Sequence, residues 1–104
     1  MTFHRIVQTH HLYDGYRQVV RIGRYELLLL QNEGDIALVD NRCPHQGFPL
    51  DRGPVKGARL ICPRHGFAFH LRNGDCLQAT SCKLATFVVQ YDGAWLGVEL
   101  PDYI

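Results

Sequence analysis

Two short boxes of cysteine and histidine constrain this chain more than any other feature of its sequence. The first box is Cys43-Pro44-His45-Gln46-Gly47 and the second is Cys62-Pro63-Arg64-His65-Gly66, with 16 residues between His45 and Cys62. Each box offers one thiolate and one imidazole, so two such loops can place two sulfurs and two nitrogens around a common centre. Ligands of this softness limit the metal to iron–sulfur or zinc. The boxes therefore predict a metal site held by Cys43, His45, Cys62 and His65.

These boxes resemble those of the Rieske proteins, whose pattern is Cys-x-His, a spacer of about this length, and then Cys-x-x-His. The agreement extends past the ligands. Residues 45–50 (His-Gln-Gly-Phe-Pro-Leu) resemble the first family box, and residues 65–69 followed by Asn73-Gly74 resemble the second. The resemblance implies one 2Fe-2S cluster, with one iron held by the two cysteines and the other by the two histidines.

A structural zinc site or a chance cluster of residues would be the alternative to an iron–sulfur site. Zinc also accepts two Cys and two His, but it usually pairs Cys with Cys and His with His, whereas each box here mixes the two. Chance does not account for Gly47 and Gly66, whose missing side chains let backbone amides approach inorganic sulfide. Mixed boxes therefore favour two irons with different ligands.

Length and composition predict one domain over residues 1–104, with cluster-binding loops at about 42–72. A chain of 104 residues that is 46 % hydrophobic and 20 % charged can form a core, but it is too small to hold its own substrate cavity beside a cluster. The first residues contain no apolar run of signal-peptide length, and Leu27–Leu30 is far below a membrane span. We therefore expect a cytoplasmic monomer, in which Cys76 and Cys82 are half-buried thiols rather than a disulfide.

The pattern of strands and turns predicts an all-β fold, a small antiparallel sandwich or barrel with the two boxes as loops of a cluster-binding subdomain. Gly23, Asn32-Glu33-Gly34-Asp35, Asn73-Gly74 and Asp92-Gly93 interrupt apolar and β-branched runs and are typical of hairpin turns. No stretch has a helical period. The runs that we expect to form strands are residues 16–22, 25–30, 36–39, 67–71, 76–78, 86–91 and 94–100.

The residues beside the ligands place the chain within the resembled family. High-potential Rieske proteins carry an extra Cys in each box and a Ser after the second box, and this chain has Phe48, Arg64 and Phe67 at those positions. The resemblance therefore implies a low-potential Rieske ferredoxin, which is not catalytic alone and carries single electrons from a flavoprotein reductase to a terminal, ring-hydroxylating or related oxygenase. The alternatives are a small Rieske subunit of a larger oxidoreductase, such as nitrite reductase, and a zinc-binding interaction module.

The half of the chain that contains the boxes is basic. Between Arg42 and Arg72 a single acid, Asp51, accompanies six basic residues, namely Arg42, Arg52, Lys56, Arg59, Arg64 and Arg72. These charges are either scattered solvated side chains or a surface for an acidic partner. Nucleic acid is not expected as a partner, because the net charge is only +1 and no aromatic platform alternates with the arginines.

Overall fold

The computed structural model describes residues 1–79 and 81–102, and its regular structure is almost entirely antiparallel strand. The predicted all-β class is confirmed. The one helical element in these residues is a single 3-10 turn at Thr9–His11. The strands, in chain order, are β1 Thr2–Gln8, β2 Arg17–Ile22, β3 Tyr25–Asn32, β4 Asp35–Asp40, β5 Val55–Lys56, β6 Arg59–Ile61, β7 Ala68–His70, β8 Thr86–Phe87, β9 Gln90–Asp92 and β10 Trp95–Leu100.

The central sheet has the order β2-β3-β4-β8, and β3 is its most buried strand. Four consecutive leucines, Leu27–Leu30, are buried on both faces of β3. Successive side chains of a strand point to opposite faces, so Leu28 and Leu30 enter one core while Leu27 and Leu29 enter another. The molecule therefore has two apolar cores, separated by the central sheet.

A second sheet, of order β1-β10-β9, supplies the other side of the core that contains Leu27 and Leu29. Val7 of β1 and Leu96, Val98 and Leu100 of β10 are buried there. The β1–β10 ladder shifts register between Arg5 and Val7, which is typical of a β-bulge. This sheet joins the first residues of the chain to the last ones described.

A third, small sheet of order β5-β6-β7 lies within the segment that carries the boxes. Its inner face contributes Leu60 and Phe69 to the core that contains Leu28 and Leu30. Cys62 directly follows β6 and Phe67 directly precedes β7, so these two strands hold both ends of the second box. The predicted cluster segment therefore contains a sheet as well as loops.

Two of the predicted strands are wrong. Residues 76–78 form no strand, and Cys76 makes only an isolated bridge to Phe69. Residues 86–91 are split between β8 and β9, which belong to different sheets. Strand β8 pairs with β4, and β9 pairs with β10. Between them the Val88 side chain is 78 % exposed. Strand β1 was not predicted, because its apolar residues do not alternate regularly.

Candidate metal centre

The two boxes form loops with the same backbone frame. We define loop 1 as residues 43–48 and loop 2 as residues 62–67. In each loop the N–H of the cysteine donates to the carbonyl of the phenylalanine five residues later, at 2.8 Å in both cases. In each, the glycine N–H returns to the cysteine carbonyl, and Gly47 and Gly66 adopt φ of 74° and 73°. A side chain would strain this left-handed conformation, which explains why glycine occupies both positions.

Buried Asn41 anchors loop 1 to the central sheet. Its backbone N–H donates to the Glu26 carbonyl at 2.9 Å, and its side-chain amide donates to the Glu26 carboxylate at 3.0 Å. Its side-chain oxygen accepts the N–H of Leu50 at 3.2 Å, just after the loop. The start and the end of loop 1 are thus held by one side chain, which sequence reasoning did not identify.

The Gln78 side chain anchors the end of loop 2. Its side-chain oxygen accepts the N–H of Ala68 at 2.9 Å, and its side-chain nitrogen donates to the carbonyl of Gly66 at 3.2 Å. The segment that follows β7 is therefore attached to the end of loop 2. Gln78 has no sequence signal of its own, since it belongs to neither box.

The four predicted ligands come together as two pairs. The Cys43 and Cys62 side chains are each 1 % exposed and lie within hydrogen-bonding reach of each other. The His45 and His65 rings are exposed, with centroids 5.4 Å apart and planes perpendicular. The thiols are thus inside the core and the imidazoles are at the surface.

Burial raises the pKa of the Cys43 thiol, and the neighbouring Cys62 acts in the same direction. Backbone N–H groups of His45 and Gln46 point at the Cys43 sulfur and lower its pKa in opposition. A metal that binds this sulfur must displace its proton, so metal binding here is coupled to proton release. The two amides then stabilise the negative sulfur.

Side chains outside the predicted ligand set also connect the two loops. The His45 ring stacks on Phe67 of loop 2, with centroids 4.4 Å apart and planes 21° from parallel. Reciprocally, the Arg64 guanidinium of loop 2 lies over the Phe48 ring of loop 1, 5.7 Å from its centroid. Nε2 of His65 is in hydrogen-bond contact with Oε1 of Gln46. The two imidazoles are therefore oriented by side chains of the opposite loop.

The donor set and its arrangement fit a 2Fe-2S cluster. Within the described part of the chain, no three His, Cys, Asp or Glu side chains converge as they would around one ion. The thiol pair and the imidazole pair instead offer two ligands to each of two metals, one pair soft and anionic and the other neutral. The glycines of both loops leave open space beside the backbone.

The remaining cysteines and a surface hollow lie outside the predicted ligand set. Cys76 and Cys82 are free and half-buried, as predicted, and both pack against the core that contains Cys43. A hollow of about 410 Å³ lies between β4, β8 and residues 70–72, and none of the four predicted ligands lines it. No helix long and apolar enough to cross a membrane occurs among residues 1–79 and 81–102.

Comparison with known families identifies the class to which this fold and site belong. The profile of the Rieske [2Fe-2S] domain matches residues 2–91. The chain belongs to the Rieske family, whose members carry a Rieske-type 2Fe-2S cluster, and the resemblance predicted from the two boxes is confirmed. The zinc alternative is thereby set aside.

Among curated relatives, apoptosis-inducing factor 3 of mouse and human is 34 % identical over 64 residues, which are 62 % of this chain and 11 % of that protein. The chain thus spans about a tenth of the length of these relatives. The ferredoxin component of the alkene monooxygenase system of Xanthobacter autotrophicus is 31 % identical, over 79 % of this chain and 68 % of the relative. This relative agrees with the predicted resemblance to Rieske ferredoxins.

Solved structures share the fold of this chain. The ferredoxin of Sphingomonas yanoikuyae B1 superposes with a TM-score of 0.82 at 25 % identity, covering 96 % of this chain and all of that one. A complex of oxygenase and ferredoxin in carbazole 1,9a-dioxygenase (TM-score 0.78, 22 % identity, 92 % and 91 % covered) shares the fold. So does a protein of Mycobacterium tuberculosis described as an NADH-dependent nitrite reductase small subunit (TM-score 0.81, 20 % identity, 93 % of each chain).

Proposed function

We propose that this protein is a Rieske-type ferredoxin that carries one electron at a time from a flavoprotein reductase to a terminal oxygenase. We further propose Cys43, His45, Cys62 and His65 as the ligands of its cluster, within a single domain over residues 1–104. The observation that carries the proposal is the division of these residues into a buried thiol pair and an exposed imidazole pair. Its relatives include a ferredoxin component of an oxygenase system.

The bound cluster supplies one-electron oxidation and reduction. The protein excludes water from the sulfur side, since Cys43 and Cys62 lie in a core with Leu50, Leu60 and Phe69. The exposed His45 and His65 rings mark the side from which a partner approaches. None of the four proposed ligands lines the 410 Å³ hollow, so this cavity does not adjoin the site. We propose a carrier that is not catalytic alone. We also propose that it is a cytoplasmic monomer.

A small subunit of a larger oxidoreductase is the second candidate. The structural likeness to a protein described as a nitrite reductase small subunit favours it at the level of the fold. The two candidates differ in assembly, because a subunit co-purifies with a large enzyme from its source whereas a ferredoxin is isolated alone. Size-exclusion chromatography of the native protein from its source distinguishes them.

The ligand assignment is tested by Cys43→Ser, with Cys82→Ser as a matched control. Both cysteines pack on the same core, but only Cys43 belongs to the proposed ligand set. We expect Cys43→Ser to lose the visible absorption, the iron and the acid-labile sulfide, and to lower the unfolding midpoint, because cluster binding and loop ordering are coupled. Cys82→Ser should keep two irons and two sulfides per chain. Equal loss in both variants would contradict the assignment.

A further inference from the structure

Two basic side chains and a histidine form one row across the small sheet. Lys56 of β5 is directly opposite Arg59 of β6, and Arg59 is directly opposite His70 of β7. The adjacent row contains Leu60 and Phe69, which are fully buried. Side chains alternate along a strand, so Lys56, Arg59 and His70 project from the outer face of the sheet.

Neither Lys56 nor Arg59 forms an ion pair within the described part of the chain. The ion pairs found there involve the Met1 amino group, Arg5, Arg21 and Lys83, and none involves Lys56 or Arg59. Asp75, the acid that shares a hollow with Arg59 and His70, lies 3.8 Å from the Lys83 amino group. Like charges directly opposite on two strands are destabilising. The fold therefore carries an electrostatic cost that carboxylates of a partner would relieve.

An exposed apolar side chain lies beside the row. Leu77 is 65 % exposed and lines, with Arg59 and His70, a hollow of about 350 Å³ on the surface. Protein interfaces combine apolar contact with a charged, complementary surround. The surface formed by Lys56, Arg59, His70 and Leu77 has both components, so it suits a protein partner rather than a small anion.

The same surface is close to loop 2. Arg59 and His70 are two positions along their strands from Ile61 and Ala68, which flank the loop. At about 3.3 Å per residue, the row is on the order of 7 Å from these flanking residues and on the order of 10 Å from the loop itself. A partner seated on this face would therefore lie next to the strand ends that carry loop 2.

We propose that the outer face of the small sheet, formed by Lys56, Arg59, His70 and Leu77, docks an acidic surface of the electron-transfer partner. The inference rests on the proposed function, to which it adds the side of the molecule that is used and the sign of the partner's charge.

The test compares two one-electron acceptors of opposite charge, acidic plastocyanin and basic cytochrome c, mixed with the dithionite-reduced holoprotein in a stopped-flow instrument. Arg59→Glu is the test variant. Arg24→Glu is the matched control, because it makes the same charge change at an exposed residue. Arg24 precedes Tyr25 at one end of β3, whereas Asn32 at the other end bonds the Gly57 carbonyl in the turn beside Arg59. The two sites are therefore about 25 Å apart.

We expect Arg59→Glu to slow electron transfer to plastocyanin about fivefold or more at low salt, and Arg24→Glu to change it by less than about twofold. With cytochrome c, Arg59→Glu should be faster than the parent. Added salt should reduce these differences. An unchanged or higher unfolding midpoint for Arg59→Glu shows that the variant is folded. Equal effects of the two variants, or no effect of either, would overturn the proposed surface.

A measurement that needs no electron transfer separates this inference from the proposed function. Titrating the oxidised protein with plastocyanin should shift backbone amide resonances of residues 55–60 and 68–77, and Arg59→Glu should abolish those shifts. If the cluster is not reducible, the carrier function fails, but this titration still decides the surface. A single-stranded oligonucleotide that produces the same shifts with equal strength would overturn the assignment to an acidic protein.

Discussion

At the scale of single residues, the two ligand loops share one backbone frame but carry their histidines one position apart. The third residue of each loop is His45 or Arg64, and the fourth is Gln46 or His65. Each histidine therefore faces a residue of the other loop that is not a ligand. His45 contacts Phe67, and His65 contacts Gln46. These two contacts distinguish the surroundings of the imidazoles and make Phe67 the first residue to vary.

We expect the parent protein to have a reduction potential of about −150 to 0 mV. Phe67→Ser should raise this potential by roughly tens of millivolts. Phe67 occupies the position at which high-potential relatives carry Ser, and its ring now covers one face of His45. The substitution adds a hydroxyl and exposes the imidazole, and both changes alter the polarity around the metal ligands. Protein-film voltammetry measures the shift.

Phe48→Ser is the matched control for this prediction. Phe48 ends loop 1 as Phe67 ends loop 2, but its ring lies under Arg64 instead of a histidine. Its replacement should leave the potential nearly unchanged. A parent potential above about +200 mV would contradict the argument from the residues beside the ligands. So would a larger shift for Phe48→Ser than for Phe67→Ser.

At the scale of secondary-structure elements, the turn after β7 brings residues 75–77 back onto the small sheet. Gly74 donates to the His70 carbonyl at 2.8 Å and accepts the N–H of Leu84 at 2.9 Å. It adopts φ of +80°, and a β-carbon at this position would lie 2.0 Å from the carbonyl oxygen of Leu84. No side chain fits there without movement of the backbone.

We expect Gly74→Ala to lower the free energy of unfolding by about 3 kcal/mol or more, since it combines backbone strain with a steric clash. Gly93→Ala is the control, because Gly93 has φ of +60° but open space around it. It should cost about 1–2 kcal/mol through strain alone. Urea unfolding followed by fluorescence gives both values, and equal costs would refute the proposed close approach of residues 74 and 84.

At the scale of the whole molecule, the two cores depend differently on the metal centre. The core that contains Cys43 and Cys62 also holds Leu28, Leu60 and Phe69. The other core, built from β1, β10 and the opposite face of the central sheet, contains no cysteine among its buried residues in the described part of the chain. Loss of the cluster should therefore loosen one half of the molecule more than the other.

We expect removal of iron and sulfide by acid treatment to increase amide hydrogen exchange in loops 1 and 2 and in β5–β7, while β1 and β10 stay protected. The physical reason is that the bound metal crosslinks both loops, whereas the β1–β10 ladder has its own apolar core. Exchange followed residue by residue, with holo Cys82→Ser as a reference, measures this. Uniform loss of protection would show that the two cores unfold as one unit.

Features that depend only on neighbouring residues could be predicted from the sequence. The spacing of the proposed ligands Cys43, His45, Cys62 and His65 is contained in two short segments, and Gly47 and Gly66 meet the local need for positive φ. The hairpins of β2, β3 and β4 follow from apolar runs separated by turn residues, and their bounds agree with the predicted ones within a few residues. Local propensity and turn chemistry are sufficient for such elements.

Features that depend on residues far apart in the chain could not be predicted from the sequence and are seen only in the tertiary structure. Thr2 pairs with Leu100, so β1 is a strand because β10 supplies its partner, and no local pattern indicates it. The run 86–91 is divided because its first residues pair with β4 and its last residues pair with β10. Strand preference reflects packing and pairing context more than intrinsic backbone preference, which is why these predictions failed.

The contacts that orient the two imidazoles also depend on residues far apart in the chain. Phe67 of loop 2 stacks on His45 of loop 1. The basic residues between Arg42 and Arg72 are scattered along the chain, and only the register of β5, β6 and β7 brings Lys56, Arg59 and His70 into one row. Sequence spacing determines which side chains are present, whereas strand register determines which of them face each other.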